Sequence, residues 1–322
     1  MNPIPPMPEN CCHHNPHSFR SIRQPFAVVL LLAAILMSGA CSAPYDKDAM
    51  QKLFEGRTPP IFKTYEIQNR SIYFAEIENR RKPLIIFIHG TPGSWEAFGA
   101  YLADPQLSKR AHMISVDRPG FGRSGYKDLV PSLKKQAELL RPLLDRDSSG
   151  CGAIMVGHSL GAPLAARIAM DYPGRVSALL LIAPSLDPEL ESPRWYNYLA
   201  TYYVFQWAVP TPMLLANKEV MHLQGDLQDM LPLWKSVHVP VVVIQGQQDE
   251  LVMPANADFA EKMVQSPLKT VRVPDAGHFV LWENPDIIKR ELLALLASRD
   301  RLHQRGCAQL GEGSGNSSVP LM

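Results

Sequence analysis

Gly157-His158-Ser159-Leu160-Gly161 constrains this chain more than any other segment, because it follows the apolar run Ala153 to Val156 and leads into a helix-forming stretch from Ala162. A serine on a sharp strand-to-helix turn projects its hydroxyl away from the sheet. The crowded turn leaves little room two residues to either side, hence glycine at both places. A serine hydroxyl alone is a poor nucleophile, so it needs a base and a group to orient that base. Asp249 follows the apolar run Val239 to Gln245, and His278 follows the run Thr270 to Val273. Ser159, Asp249 and His278 thus each stand just past a predicted strand.

Further apolar runs cover Leu84 to Ile88, Met113 to Val116 and Ala178 to Ile182. Runs of four to six residues without alternation predict strands covered on both faces, as in a parallel sheet flanked by helices. Helical spacing fills gaps between them, with Leu133, Ala137, Leu140 and Leu144 in 133–145 and small residues in 162–170. The alternation predicts an α/β fold with a doubly wound, mostly parallel sheet, whose ligands bind at the carboxyl ends of the strands. Mixed apolar and polar residues over 62–77 predict two antiparallel edge strands joined near Asn69-Arg70.

Residues 184–235 interrupt that alternation and hold eight aromatics. Trp195, Tyr198, Leu199 and Tyr202 follow the i, i+3, i+4, i+7 pattern, which predicts a helical cap. Its rings either wall an apolar pocket or pack the cap onto the main domain. The predicted organisation is therefore a leader (1–41), a tether (42–60), a core (61–183 and 236–302), the helical cap (184–235) and a disordered tail (303–322).

The leader carries Arg20 and Arg23, twelve apolar residues from Phe26 to Met37, then Ser38, Gly39, Ala40 and Cys41. Spanning a bilayer takes about 20 apolar residues, so this reads as an export signal. It resembles a bacterial lipoprotein signal with Cys41 as the lipidated residue, although that family usually places leucine where Ser38 stands. An exported protein anchored to the envelope membrane through Cys41 is the expectation. Cys11, Cys12, His13, His14 and His17 have metal-ligand composition, but no second ligand pair at structural-zinc spacing follows, and the segment reads as a leader. Cys151 opens a buried strand and Cys307 stands in a polar tail, a placement that speaks against a disulfide between them. Lys+Arg 32 against Asp+Glu 31 gives a formal charge of +1, without the footprint of a nucleic-acid binder. Oligomeric state is not legible.

With these segments in place, the chain resembles the α/β-hydrolase superfamily, specifically its serine esterase and C–C hydrolase-like members, over about 61–297. The resemblance rests on His89-Gly90-Thr91-Pro92-Gly93-Ser94, Asp117 to Ser124, Gly157 to Gly161, Gly246-Gln247-Gln248-Asp249 and Asp275-Ala276-Gly277-His278. It implies that Ser159 attacks an acyl carbonyl, His278 carries the proton and Asp249 orients His278. It also implies an oxyanion hole made by the backbone N–H groups of Leu160 and Thr91. Asp187 and Asp275 are rival orienters. His89, His158 and the Asp117 to Ser124 turn are scaffold in the superfamily. His222 reads as a lid residue and His238 as a strand-entry residue. No metal and no cofactor are required.

The implied activity is hydrolysis of a small-molecule ester, thioester or related acyl substrate with an apolar portion, through an acyl-enzyme. Hydrolysis of a C–C bond by the same three residues is the alternative within the enzyme class. A catalytically silent, envelope-anchored binding protein is the alternative outside it. Dehalogenases and epoxide hydrolases of the superfamily use aspartate as nucleophile, so serine at 159 argues against both.

Overall fold

A computed structural model describes residues 47–193, 197–198 and 209–304. Its eight strands are β1 (Ile61–Ile67), β2 (Arg70–Ile77), β3 (Leu84–Ile88), β4 (His112–Val116), β5 (Ala153–His158), β6 (Val176–Ile182), β7 (Val241–Gly246) and β8 (Leu268–Val273). The helices that concern the site are α1 (Lys47–Leu53), α2 (Leu133–Leu140), α3 (Gly161–Asp171), α4 (Thr211–Met230), α5 (Asn256–Met263) and α6 (Pro285–Gln304). One sheet holds all eight strands in the order β1-β2-β4-β3-β5-β6-β7-β8. β2 pairs antiparallel with β1 and β4, and every other pairing is parallel. The expected α/β, doubly wound and mostly parallel sheet is what forms.

Each apolar run supplies both faces of the sheet, because successive side chains of a strand point to opposite sides. Ile86, Ile88, Met155, Leu181 and Val243 pack with Leu164 and Ile168 of α3 on one face. Their neighbours Ile85, Phe87, Val156, Leu180 and Ile244 pack with Phe98, Ile288 and Leu292 on the other. Truncating a fully buried side chain of this kind to alanine costs about 2–5 kcal/mol. α3 is buried along its whole inner length, Gly161 to Met170, which explains its small residues. The β1–β2 hairpin turns through Gln68 and Asn69, both at positive φ.

Two features differ from the sequence reading. The 42–60 segment, expected as a tether, contains α1, whose Met50 is buried. A methyl added at Gly99 would lie 2.8 Å from the Met50 Sδ, and the Arg57 guanidinium donates to the Ala103 carbonyl at 3.0 Å. Seven residues span only two turns, too few for an apolar period to stand out. Cys151 is disulfide-bonded, whereas its place at the head of a buried strand speaks against a bond with Cys307.

In the stretch between β6 and β7, the helical pattern of Trp195, Tyr198, Leu199 and Tyr202 falls mostly outside the described residues. α4 is the long element there. Its stripe of Leu215, Glu219, Leu223, Leu227 and Met230 is buried, and Asp226 accepts the Leu133 N–H at 3.0 Å, so it caps α2 from outside. Trp234 is buried edge-on to Phe259 of α5, with ring centroids 6.1 Å apart, so this ring packs the segment onto the main domain. No described helix is long and apolar enough to cross a membrane. Cys41, Cys307 and residues 305–322 lie outside the described residues.

Candidate active site

Ser159 sits in the turn between β5 and α3 with φ +54, a left-handed conformation that costs a non-glycine residue of order 1–3 kcal/mol and persists only where the surroundings enforce it. The turn is enforced from both sides. Its N–H donates to the Ile182 carbonyl of β6 at 2.9 Å, and its carbonyl accepts the Ala162 N–H at 3.0 Å. A Cβ on Gly157 would lie 2.3 Å from the Gly161 oxygen, and one on Gly161 would lie 2.3 Å from the Ile88 oxygen. Both glycines are therefore obligatory for helix α3 to start this close to the sheet.

Asp249 and His278 come from the loops after β7 and β8, beside one another at the same carboxyl edge. His278 Nδ1 lies 2.9 Å from Asp249 Oδ2. A carboxylate can only accept, so Nδ1–H donates and Nε2 is left with a free lone pair. Asp249 is held in turn. Its Oδ1 accepts the Leu251 and Val252 N–H groups at 2.9 and 2.8 Å, and Gln245 Nε2 donates to Oδ2 at 3.3 Å. Its side chain has no solvent exposure, whereas that of His278 keeps 10%. Gly246 lets the two loops meet, since a Cβ there would fall 2.4 Å from the Ala276 and Gly277 oxygens.

His158 joins this pair to the serine. Its ring centroid lies 5.0 Å from that of His278, and its Nε2–H donates to the His278 carbonyl at 3.1 Å. Burial, aided by the neighbouring His278, pushes its pKa down to about 3, so it stays neutral and acts as a spacer. This matches the scaffold role expected for it. His89 is scaffold too. Its Nδ1–H donates to the Gly90 carbonyl at 2.7 Å, and its Nε2 accepts the Arg118 N–H at 3.0 Å. Burial, with the Arg118 guanidinium adding to it, holds its pKa well below the imidazole range.

Gly90 brings the β3 loop against the nucleophile, for a Cβ there would lie 2.9 Å from the Ser159 Cβ. Thr91 follows, and its buried hydroxyl has no hydrogen-bond partner. Leu160 precedes the first residue of α3, where a backbone N–H has no intrahelical acceptor and the helix dipole favours negative charge. The β3 loop and the start of α3 thus meet at the serine.

The remaining sequence candidates lie elsewhere. Asp187 Oδ1 accepts the Glu189 N–H at 2.9 Å, Asp275 is exposed, and Asp249 is the carboxylate on His278. His222 and His238 are exposed. Asp117 closes its own turn, accepting the Trp95 and Arg123 N–H groups at 2.7 Å each. Burial pushes its pKa up to about 6 against those two bonds. Among the described residues no group of three or more His, Cys, Asp or Glu could hold a metal.

Sequence reasoning missed Arg118, Gln136 and Glu219. Arg118 Nη1 and Nη2 meet Glu219 Oε1 and Oε2 at 2.6 and 2.9 Å, and Nη2 also donates to the Gly90 carbonyl at 2.9 Å. Gln136 bridges the pair, accepting from Arg118 at 3.0 Å and donating to Glu219 at 2.9 Å. The available signal was an acidic residue, Glu219, set four residues after Leu215 and four before Leu223 in an otherwise apolar stripe.

Comparison with known proteins agrees with this architecture. The chain is 24% identical over 239 residues to 2-(acetamidomethylene)succinate hydrolase of Mesorhizobium japonicum, covering 64% of this chain and 84% of that one. It is 21% identical over 276 residues to epoxide hydrolase 3 of Xenopus tropicalis, covering 70% and 74%. Among solved structures, Cfl2 of Burkholderia cenocepacia superposes with a TM-score of 0.62 at 16% identity, over 74% of this chain and 96% of that one. A membrane phospholipase A described as a bacterial virulence factor superposes with a TM-score of 0.57 at 18% identity, over 86% and 98%. Residues 85–291 match the profile of the alpha/beta hydrolase family, and the chain belongs to that family.

Proposed function

We propose that the protein is a serine hydrolase that cleaves an ester, thioester or related acyl substrate with an apolar portion through an acyl-enzyme. The observation that carries this reading is the Asp249–His278 hydrogen bond, joined through the His278 carbonyl to His158, the residue before a serine held at positive φ. Ser159 Oγ attacks the acyl carbonyl while His278 Nε2 takes its proton. The charge gained by the imidazole is balanced by Asp249, which accepts at Nδ1. The tetrahedral oxyanion takes the Thr91 and Leu160 N–H bonds, each typically worth about 2.7–4 kcal/mol. His278 then gives the proton to the leaving group, and the same steps run with water release the acid.

The stretch 184–235 acts in this reading as a cap over the acyl pocket, supported by its aromatic content and by the docking of α4. Export and lipidation at Cys41 are part of the same proposal. They rest on the apolar run and the small residues before that cysteine, and incorporation of labelled palmitate into the wild type but not into Cys41→Ala is the expected result.

The enzymatic reading is tested with p-nitrophenyl esters of increasing acyl length. A burst of p-nitrophenol stoichiometric with the protein, followed by slower turnover and absent in Ser159→Ala, is expected. Hydrolysis of none of them by folded protein, together with cleavage of a diketone, would favour C–C chemistry. Inertness toward both would favour the binding protein.

A further inference from the structure

Arg118 and Glu219 have no place in the acyl-transfer steps, yet they form a fully buried, bidentate ion pair between the β4 loop and α4, with neither side chain exposed. Such a pair contributes little net stability over apolar residues of similar volume, so stability alone does not account for it. The reason lies in the third partner of the guanidinium. Arg118 Nη2 and His89 Nδ1 both donate to the Gly90 carbonyl, at 2.9 and 2.7 Å.

That carbonyl belongs to the same peptide unit as the Thr91 N–H. The unit is planar, and where it is trans the C=O and N–H point in opposite directions. The only cis peptide among the described residues is the next one, Thr91-Pro92. Two donors pulling on the Gly90 oxygen therefore set the direction of the Thr91 N–H.

We propose that Arg118, held by Glu219 of α4, is a positioning residue that aims the Thr91 oxyanion donor, so that the donor is correctly set only while α4 is docked. This rests on the hydrolase reading above. Gln136 steadies the device, since its amide bonds both members of the pair. Phe121 closes it, with the guanidinium 4.7 Å above its ring.

The test separates folding from positioning. Either single replacement strands a buried charge, whereas Arg118→Met/Glu219→Leu replaces the pair by apolar groups and is expected to keep a thermal midpoint near that of the wild type. Its kcat on a p-nitrophenyl ester should fall about 10²–10³-fold, the loss typical of one oxyanion donor, with KM within a few-fold. Affinity for a boronic acid, whose tetrahedral adduct uses the same donors, should fall by a similar factor. A folded double variant with wild-type kcat would overturn the proposal and leave the pair as packing.

If the double variant does not fold, Arg118→Lys serves, since it keeps the buried charges paired but lacks the fork that bonds Glu219 and the Gly90 carbonyl together, and a lowered kcat at unchanged KM supports the proposal while unchanged kcat overturns it. A wild type that neither turns over esters nor binds the boronic acid overturns the hydrolase reading and this inference together. Failure confined to the variants overturns this inference alone.

Discussion

Two buried carboxylate–imidazole pairs lie at opposite edges of the same sheet. At the carboxyl edge, Asp249 meets His278 at 2.9 Å. At the amino edge of β4, Glu76 meets His112 at 2.7 Å. The carboxylate of the second pair also meets two cations, Lys63 and Arg146. Burial would raise the Glu76 pKa, but His112, Lys63 and Arg146 together pull it down to about 2, and His112 spends its Nε2 on the carboxylate. Asp249 instead takes the Nδ1 side of His278, whose carbonyl meets His158 of the serine turn, and leaves Nε2 for another partner. In the proposed mechanism such a pair becomes chemistry through the ring nitrogen it leaves for Ser159. Where the carboxylate is held by Lys63 and Arg146 as well, it is a rivet between β2 and β4.

The contrast can be broken by substitution. Ser159→Ala is expected to lower kcat by up to about 10⁶, measured with a p-nitrophenyl ester, while the thermal midpoint stays within a few degrees. Asp249→Asn presents an amide where Nδ1–H needs an acceptor, and a loss of about 10⁴ in kcat is expected. Glu76→Gln should do the reverse. Turnover per folded molecule is unchanged, and urea unfolding shows a loss of about 1.5–3 kcal/mol, since bonds to a charged group are removed.

Acid sharpens the comparison further. Glu76 has a folded pKa below its ordinary value of 4.5, so its contribution is complete above that pH and is lost as pH falls toward 2, about 3 kcal/mol in all. His158 is also depressed, from 6.5 to about 3. The unfolded chain therefore takes up a proton that the folded one refuses, and stability falls as pH drops from 6.5 toward 3. His158→Phe should flatten the unfolding free energy between pH 6 and 5 by up to about 1.4 kcal/mol per pH unit.

What could be seen from residues alone follows the range of the interactions. Six continuous apolar runs mark the six consecutive strands from β3 to β8, and Ser159, Asp249 and His278 stand at the ends of three of them, because those signals are local. Parallel strands converge on one edge, so strand-end residues far apart in sequence share a site. Helix α1 escaped because two turns hold too few residues for a period. The Arg118–Glu219–Gln136 cluster escaped because its members are 18 to 101 residues apart, and each alone reads as an ordinary surface side chain. Only an acidic residue inside the apolar stripe of α4 hinted that something buried would meet it. Glu76 and His112 were hidden for the same reason, since nothing in a strand shows which polar side chain its neighbour will satisfy.

The most direct test of the account is the rate at which a fluorophosphonate labels Ser159, followed by mass spectrometry of the modified peptide in the wild type, Asp249→Asn and Glu76→Gln. The account predicts a single adduct on Ser159, labelling slowed by orders of magnitude in Asp249→Asn, and a wild-type rate in Glu76→Gln. Folded wild-type protein that takes up no label, or an equal slowing in both variants, would contradict it.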